Sequence, residues 1–387
     1  MASAAAAAGG EIDKGEGLGL GIAAIWEAAS GASDSECFAF GAQEVVLVNR
    51  PFPHDVLVPT ALLDVATLTR LYIGFWKFPD SCALPRSDAP PFPHLRELVL
   101  CAMDMESQDM DFLLAACPVL EILGILGHNK SGLRLRLVGE RLRCVQVSQS
   151  MVQSIAVVDA PRLERLILFR SVTLRGSSIR LKIGNAPKLR LFGYLDPTVY
   201  MLEIGNTVIN VHAIPTCWDK GESKHHGHSV KILALNVRFG VSHDSKMLVT
   251  FLRCFPNVQT LHIVSEKTTR KVSLKFWQEA GPIQCIRSCI KEMTFHEFQM
   301  KQSEIAFLKF FLQTAKVVKN VVIVGATGRS ASTLEVMSIM NSLTAEIGTS
   351  GSCYVHYEGS DPEAGAPWCF QRGSDFSVSD PFACRSS

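Results

Sequence analysis

One short pattern recurs along this chain and leaves few folds open to it. In Pro161 to Phe169, P-R-L-E-R-L-I-L-F, the apolar residues Leu163, Leu166 and Leu168 form L-x-x-L-x-L. Leu166 and Leu168 flank Ile167 in alternation, so the end of the motif runs as a strand with one side buried. A strand this short cannot cover its own apolar side and must stack on neighbours of the same kind. The neighbours are present. Proline-led copies start at Leu95, Leu120, Leu189 and Val258, others at Ala42, Leu68, Leu142 and Val230, with a weaker copy at Val208. From Ala42 to Val258 the successive steps are 26, 27, 25, 22, 21, 26, 19, 22 and 28 residues.

Steps of about 20 to 29 residues are those of a leucine-rich repeat. The expected fold is α/β: an irregular leucine-rich-repeat solenoid with a curved, mainly parallel sheet and helical or extended returns. Ser107 to Cys117 is the best helical return, because Met110, Leu113, Leu114 and Cys117 fall at helix spacing behind a capping Ser107. Pro118 ends that helix. The position that holds asparagine in regular repeats is Met103, His128, Ser150, Ser171 and Pro197 in this chain, so no continuous asparagine ladder is expected.

Composition narrows the function. With 38 basic and 37 acidic residues the net charge is +1, which excludes a strong overall field for nucleic acid or an anionic membrane. The 12 cysteines are scattered, many beside apolar residues, as expected of buried thiols in a reducing compartment. No run of about 18 apolar residues occurs, so no membrane span is expected. The expected location is intracellular, cytoplasm or nucleus. Residues 1–36 are alanine and glycine rich, without the basic start of a signal peptide, and read as disordered. Within them only Ile22 to Ala29 has the makings of a short helix.

Candidate chemical motifs are weak. Gly17 to Gly21 lacks a preceding strand, and Gly325-Ala326-Thr327-Gly328 lacks the Gly-Lys-Ser/Thr ending of a phosphate loop. Cys217, His225, His226 and His228 have metal-ligand chemistry, but the polar run Asp219 to Lys224 makes that segment read as a solvated loop. His262 and His296 have no nucleophile at a recognised spacing. The reading is therefore a non-enzyme with no catalytic, metal or cofactor site; a metal-dependent enzyme using Cys217 to His228 is the disfavoured alternative.

Ile290 to Ile323 resembles the FBD domain of plant F-box and leucine-rich-repeat proteins: a strand at Ile290 to Phe295, a helix at Ser303 to Leu312, and a strand at Val318 to Val324. Phe92 to Leu98 and Ala116 to Glu121 resemble that family's repeats, and Trp368, Arg372 to Ser377 and Asp380 to Phe382 its tail. The strand, helix, strand unit has a connection long enough for parallel pairing and extends the same sheet. Ser332 with Glu335 begins a further helix striped by Val336, Met340, Leu343 and Ile347, and a last strand follows at Cys353 to Tyr357. The expected organisation is a disordered segment at 1–36, a solenoid at 37–265, an FBD-like unit with the following helix at 266–348, and a strand and tail at 349–387.

The resemblance implies substrate recognition for an F-box (SCF-type) ubiquitin ligase. His54-Asp55-Val56-Leu57 resembles the opening of an F-box, but Pro59 follows and Leu68 already belongs to a repeat, so the segment reads as a loop and short helix. A Skp-type adaptor is then a partner only if an F-box is supplied elsewhere, and the alternative is a freestanding interaction protein outside any ligase. In either case the partner is a protein of unknown identity, not nucleic acid or membrane. Residues between the buried leucines project from the opposite face of the sheet. The partner-binding candidates on that concave face are Arg70, Tyr72, Glu97, Arg165, Ile167, Thr260, His262 and Glu292; the opposite face inward is an equal alternative.

Overall fold

The computed structural model describes residues 24–27, 42–49, 56–84, 89–130, 132–173, 177–205, 207–209, 229–268, 276–277, 281–328, 332–347, 353–359 and 368–383. The chain forms two compact units, 1–188 with 369–374 and 189–368 with 375–387.

The first unit contains strands β1 (Ala24–Glu27), β2 (Glu44–Val48), β3 (Arg70–Gly74), β4 (Glu97–Cys101), β5 (Ile122–Leu126), β6 (Leu133–Val138), β7 (Cys144–Ser148), β8 (Val152–Asp159), β9 (Arg165–Phe169) and β10 (Ile179–Asn185), with helix α1 (Ser107–Ala116) after β4. Strands β1, β2, β3, β4, β5, β7 and β9 are neighbours in one parallel sheet. Register follows the repeat. Leu71 pairs with Leu98, Leu98 with Leu123, Leu123 with Val145 and Val145 with Leu166, and all five are fully buried. The first leucine of each copy, at 68, 95, 120, 142 and 163, is buried as well. Each copy thus closes the apolar flank of the one before it.

The prolines have a specific task. In Phe92 to Leu95, Cys117 to Leu120 and Ala160 to Leu163, the last residue's N–H donates to the first residue's carbonyl across a four-residue turn with proline second. Proline's fixed φ suits that position, so each turn is preset before the strand begins. On the return side, β6, β8 and β10 form a second parallel sheet. The period-two run Leu133-Arg134-Leu135-Arg136-Leu137 buries its leucines and exposes its arginines. Ser150, at the asparagine position, is fully buried and does part of that residue's work. Its hydroxyl donates to the carbonyl of Ser148 at 2.8 Å and accepts from His128 N–H at 3.1 Å.

Three local expectations are corrected. Within Ile22 to Ala29, Ala24–Glu27 is a strand paired with β2, because the open edge of β2 satisfies its backbone and so short a helix is not stable alone. The rest of residues 1–36 lies outside the described residues. Ser107 is the first residue of α1, with Glu106 at its N-cap. The Ser107 hydroxyl instead accepts from Arg134 N–H at 2.9 Å, tying the helix to β6. The weak copy at Val208 is not a repeat strand: Thr207–Ile209 pairs antiparallel with the strand before it.

The second unit contains β11 (Leu191–Leu195), β12 (Tyr200–Ile204), β13 (Thr207–Ile209), β14 (Ile232–Val237), α2 (Ser242–Cys254), β15 (Thr260–Ser265), α3 (Gln284–Ser288), β16 (Glu292–Phe298), α4 (Gln302–Thr314), β17 (Asn320–Gly325), α5 (Thr333–Thr344) and β18 (Tyr354–Glu358). Its sheet runs β11, β14, β15, β16, β17, β18, all parallel. The strand, helix, strand unit therefore continues the sheet begun by the repeats of this unit. Ile305, Phe307, Leu308, Phe311 and Leu312 form the buried stripe of α4. Phe307 lies 5.0 Å from Phe239 and 5.1 Å from Trp277 between ring centroids. The buried Glu304 carboxylate accepts from the Ser265 hydroxyl and from the N–H groups of Gln299 and Lys301, so α4 starts on a satisfied acid. Ser332 Oγ accepts from Glu335 N–H at 3.2 Å and caps α5.

Candidate protein-binding face

Strand pairing sets the eight candidate residues in rows. In the first unit Glu44, Arg70, Glu97, Ile122, Cys144 and Arg165 stand opposite one another in succession, and two residues on, Val46, Tyr72, Val99, Gly124, Gln146 and Ile167 do the same. In the second unit Thr260 pairs with Glu292, and His262 with Thr294. All eight point away from the leucine columns, since side chains alternate along a strand.

One part of this face is open and polar. Tyr72 donates its hydroxyl to Glu97 at 2.8 Å, and Arg70 lies 3.4 Å from Glu44 and 3.8 Å from Glu97. Burial, then the Glu97 carboxylate, push the Tyr72 hydroxyl pKa up, so the phenol remains a hydrogen-bond donor. Arg70 and Glu292 are exposed; Tyr72, Glu97 and Thr260 are partly so. Such exposed ion pairs contribute little to stability, about 0–1 kcal/mol, and leave their charges available to a partner.

The rest is occupied by the chain's own C-terminal segment. The short helix Phe370–Ser374 sits on the first unit's face, where a Cβ added to Gly124 would lie 2.6 Å from the Phe370 ring. Only glycine leaves room for that ring. Gln146 Nε2 donates to Phe370 O at 3.1 Å, and Arg165 Nη1 to Gly373 O at 2.8 Å. Arg165 is consequently 6% exposed, and Ile167 in the neighbouring row is 0% exposed. On the second unit's face, Asp380 Oδ2 lies 2.9 Å from His262 Nε2. Phe382 packs at a tilt against Tyr194, 4.6 Å between ring centroids, and edge-on to His262 at 5.7 Å. His262 is 1% exposed. Three of the eight candidates are thus buried, a result the residue pattern of the strands alone does not reveal. The signal lay in the tail, in Phe370 and Phe382, large apolar side chains set among polar residues beyond the last strand.

The histidines are structural in kind. Burial, with His262 beside it, lowers the His296 pKa to about 3, so this ring is neutral at ordinary pH. Burial alone would raise the Asp380 carboxyl; the His262 imidazole and the N–H groups of Phe382 and Ala383 outweigh it and hold it below the usual value.

Residues 36–263, more than half of the chain, match the family model "FBD-associated F-box protein At5g56370, LRR repeats", and residues 278–323 match the FBD model. The chain belongs to the FBD-associated F-box protein leucine-rich-repeat family. No curated protein and no solved structure is significantly similar to it. Both matched regions are protein-interaction modules, and most strands of the parallel sheets lie within them.

Against this FBD-associated background the other candidate sites are plain. Among the described residues no group of three or more His, Cys, Asp or Glu could hold a metal, and Cys217 to His228 lies outside them. Burial pushes Cys117, Cys144 and Cys285 up to about 12, so none is a ready thiolate. Of the F-box-like segment, His54 and Asp55 lie outside the described residues. Leu57 bridges to Lys77, and Thr60–Asp64 forms a short 3-10 helix. No described helix is long and apolar enough to cross a membrane.

Proposed function

We propose that this chain is a non-enzymatic protein-binding subunit, acting in the cytoplasm or nucleus, that recognises its partner through the open strip of Glu44, Arg70, Tyr72 and Glu97. The observation that carries the reading is this strip itself: a partly buried tyrosine between charges at one end of a repeat face. Tyrosine and arginine in such a setting are the side chains that most often anchor protein interfaces. By family, the bound protein is the substrate of an F-box ubiquitin ligase, and a Skp-type adaptor joins only through an F-box supplied elsewhere. The freestanding role, without ligase attachment, is the second reading and has the Pro59 to Leu68 segment in its favour, where a repeat and its 3-10 helix stand in place of a helical module.

The test is a pull-down from plant extract with wild type and a Tyr72→Ala, Arg70→Glu double variant. A partner kept by wild type and lost by the variant supports the strip. Equal recovery with wild type and variant assigns recognition elsewhere. Co-recovery of the Skp-type adaptor supports the ligase role, and its absence supports the freestanding one. Metal analysis of the folded protein tests the Cys217 to His228 alternative, which a metal-free sample removes.

A further inference from the structure

The return sheet carries a second site. On β6, β8 and β10 the leucines, isoleucines and valines at alternate positions are buried, and the residues between them face outward. Register sets Ser154 between Arg134 and Arg180, and Ala156 between Arg136 and Lys182. Next along the sheet comes Val158, 41% exposed, beside Gly184. Arg134, Arg136, Lys182, Ser154, Ala156 and Val158 floor a groove of about 570 Å³ walled on one side by the first turns of α1, including Asp111. Among the described residues no carboxylate lies within ion-pair distance of Arg134, Arg136 or Lys182.

The spacing defines the occupant. Alternate residues of a strand lie about 6.6 Å apart, and β6 and β10 are about 9.6 Å apart across β8. The three cations of the groove therefore fall in two rows, Arg134 beside Ser154 and then Arg136 and Lys182 about Ala156, and the small residues leave the middle clear. At Gly184 a Cβ would meet the carbonyls of Val157 and Val158 at 2.7 and 2.9 Å, so in the third row β10 adds no side chain beside Val158. An extended segment laid along β8 repeats its own alternate side chains at the same 6.6 Å or so. Its acids would descend beside Arg134 in one row and between Arg136 and Lys182 in the next, and its next inward residue would reach Val158. A single phosphate spans only one row. Nucleic acid would also repeat its charges, but the groove offers no aromatic platform for bases.

We propose that this groove binds an extended acidic segment of a partner protein with the pattern acid, any residue, acid, any residue, apolar. The site is independent of the Tyr72 strip and stands or falls separately.

The test uses the full chain and fluorescently labelled peptides read by anisotropy. The probe is Ser-Glu-Ser-Glu-Ser-Leu-Ser; the controls are its Gln-for-Glu counterpart, a version with the two Glu adjacent, and a short oligouridine. The acidic probe is expected to bind at low salt and weaken as salt rises, with the Gln and adjacent-Glu controls each weaker by about tenfold or more. Arg136→Glu with Lys182→Glu should abolish binding without moving the denaturation midpoint, because both side chains are exposed. Equal binding of the adjacent-Glu control overturns the spacing argument. Tighter binding of oligouridine, lost in the same variant, reassigns the groove to nucleic acid, and no saturable binding of the probe ends the proposal.

Discussion

Phe370→Ala should detach the terminal helix from the first unit's sheet while leaving that sheet intact. The ring is 9% exposed and rests on Gly124. Burying a phenylalanine is worth about 1.5–3 kcal/mol, and because the segment can lift away, little cavity cost is added. The docking equilibrium should therefore shift by roughly 10- to 150-fold. The contacts from Gln146 and Arg165 remain available but hold only backbone carbonyls. Native-state amide exchange reads the effect directly. Gly373 N–H, bonded to Cys369 O at 3.0 Å, should exchange faster by that factor. The amides of Leu98, Leu123, Val145 and Leu166 should exchange as in wild type, since opening is local. Gly124→Ala, which drives a methyl into the ring, should act in the same direction. Unchanged exchange at Gly373 in both variants would refute the account of how the tail is held.

Leu166→Ala should cost about 2–5 kcal/mol in denaturant unfolding, as for a fully buried leucine packed between repeats; a change near zero would contradict the register. His296 gives a pH signature. Its folded pKa of about 3 lies below the unfolded value, so below about pH 6.5 the unfolded chain binds a proton that the folded chain does not. Stability is then complete above that pH and falls as pH drops toward 3, by about 1.4 kcal/mol per pH unit. Urea midpoints of wild type and His296→Asn at pH 7 and 5.5 test this: the variant should lose less between the two conditions.

The main sheet was legible because its information is local. Three apolar positions per copy, and a proline that presets the turn, fix both the strand and its register without reference to distant residues. The helices of the FBD portion were legible for the same reason, the stripe from Ile305 to Leu312 being periodic. The return strands were readable too: Leu133 to Val138 alternates as clearly as any strand in the chain, although it lies outside the L-x-x-L-x-L copies. Two things were not local. Ala24–Glu27 pairs because β2 has an open edge, and Arg165, Ile167 and His262 are buried by neighbours, with Phe370 and Phe382 brought over the face from the far end of the chain. Exposure assigned from alternation alone treats a strand's second face as solvent, and only tertiary packing says otherwise.

The origin of Phe370–Ser374 in the last stretch of the chain has a consequence in time. A ribosome finishes the strands from β5 to β9 well before it makes the segment that seals them. At about 5–20 residues per second, the rows around Gly124 and Gln146 stay bare for on the order of 10 seconds or more during synthesis. A chaperone or a nascent assembly partner meets a different surface from the one the completed chain displays, and a stop codon ahead of Cys369 would make that early surface permanent.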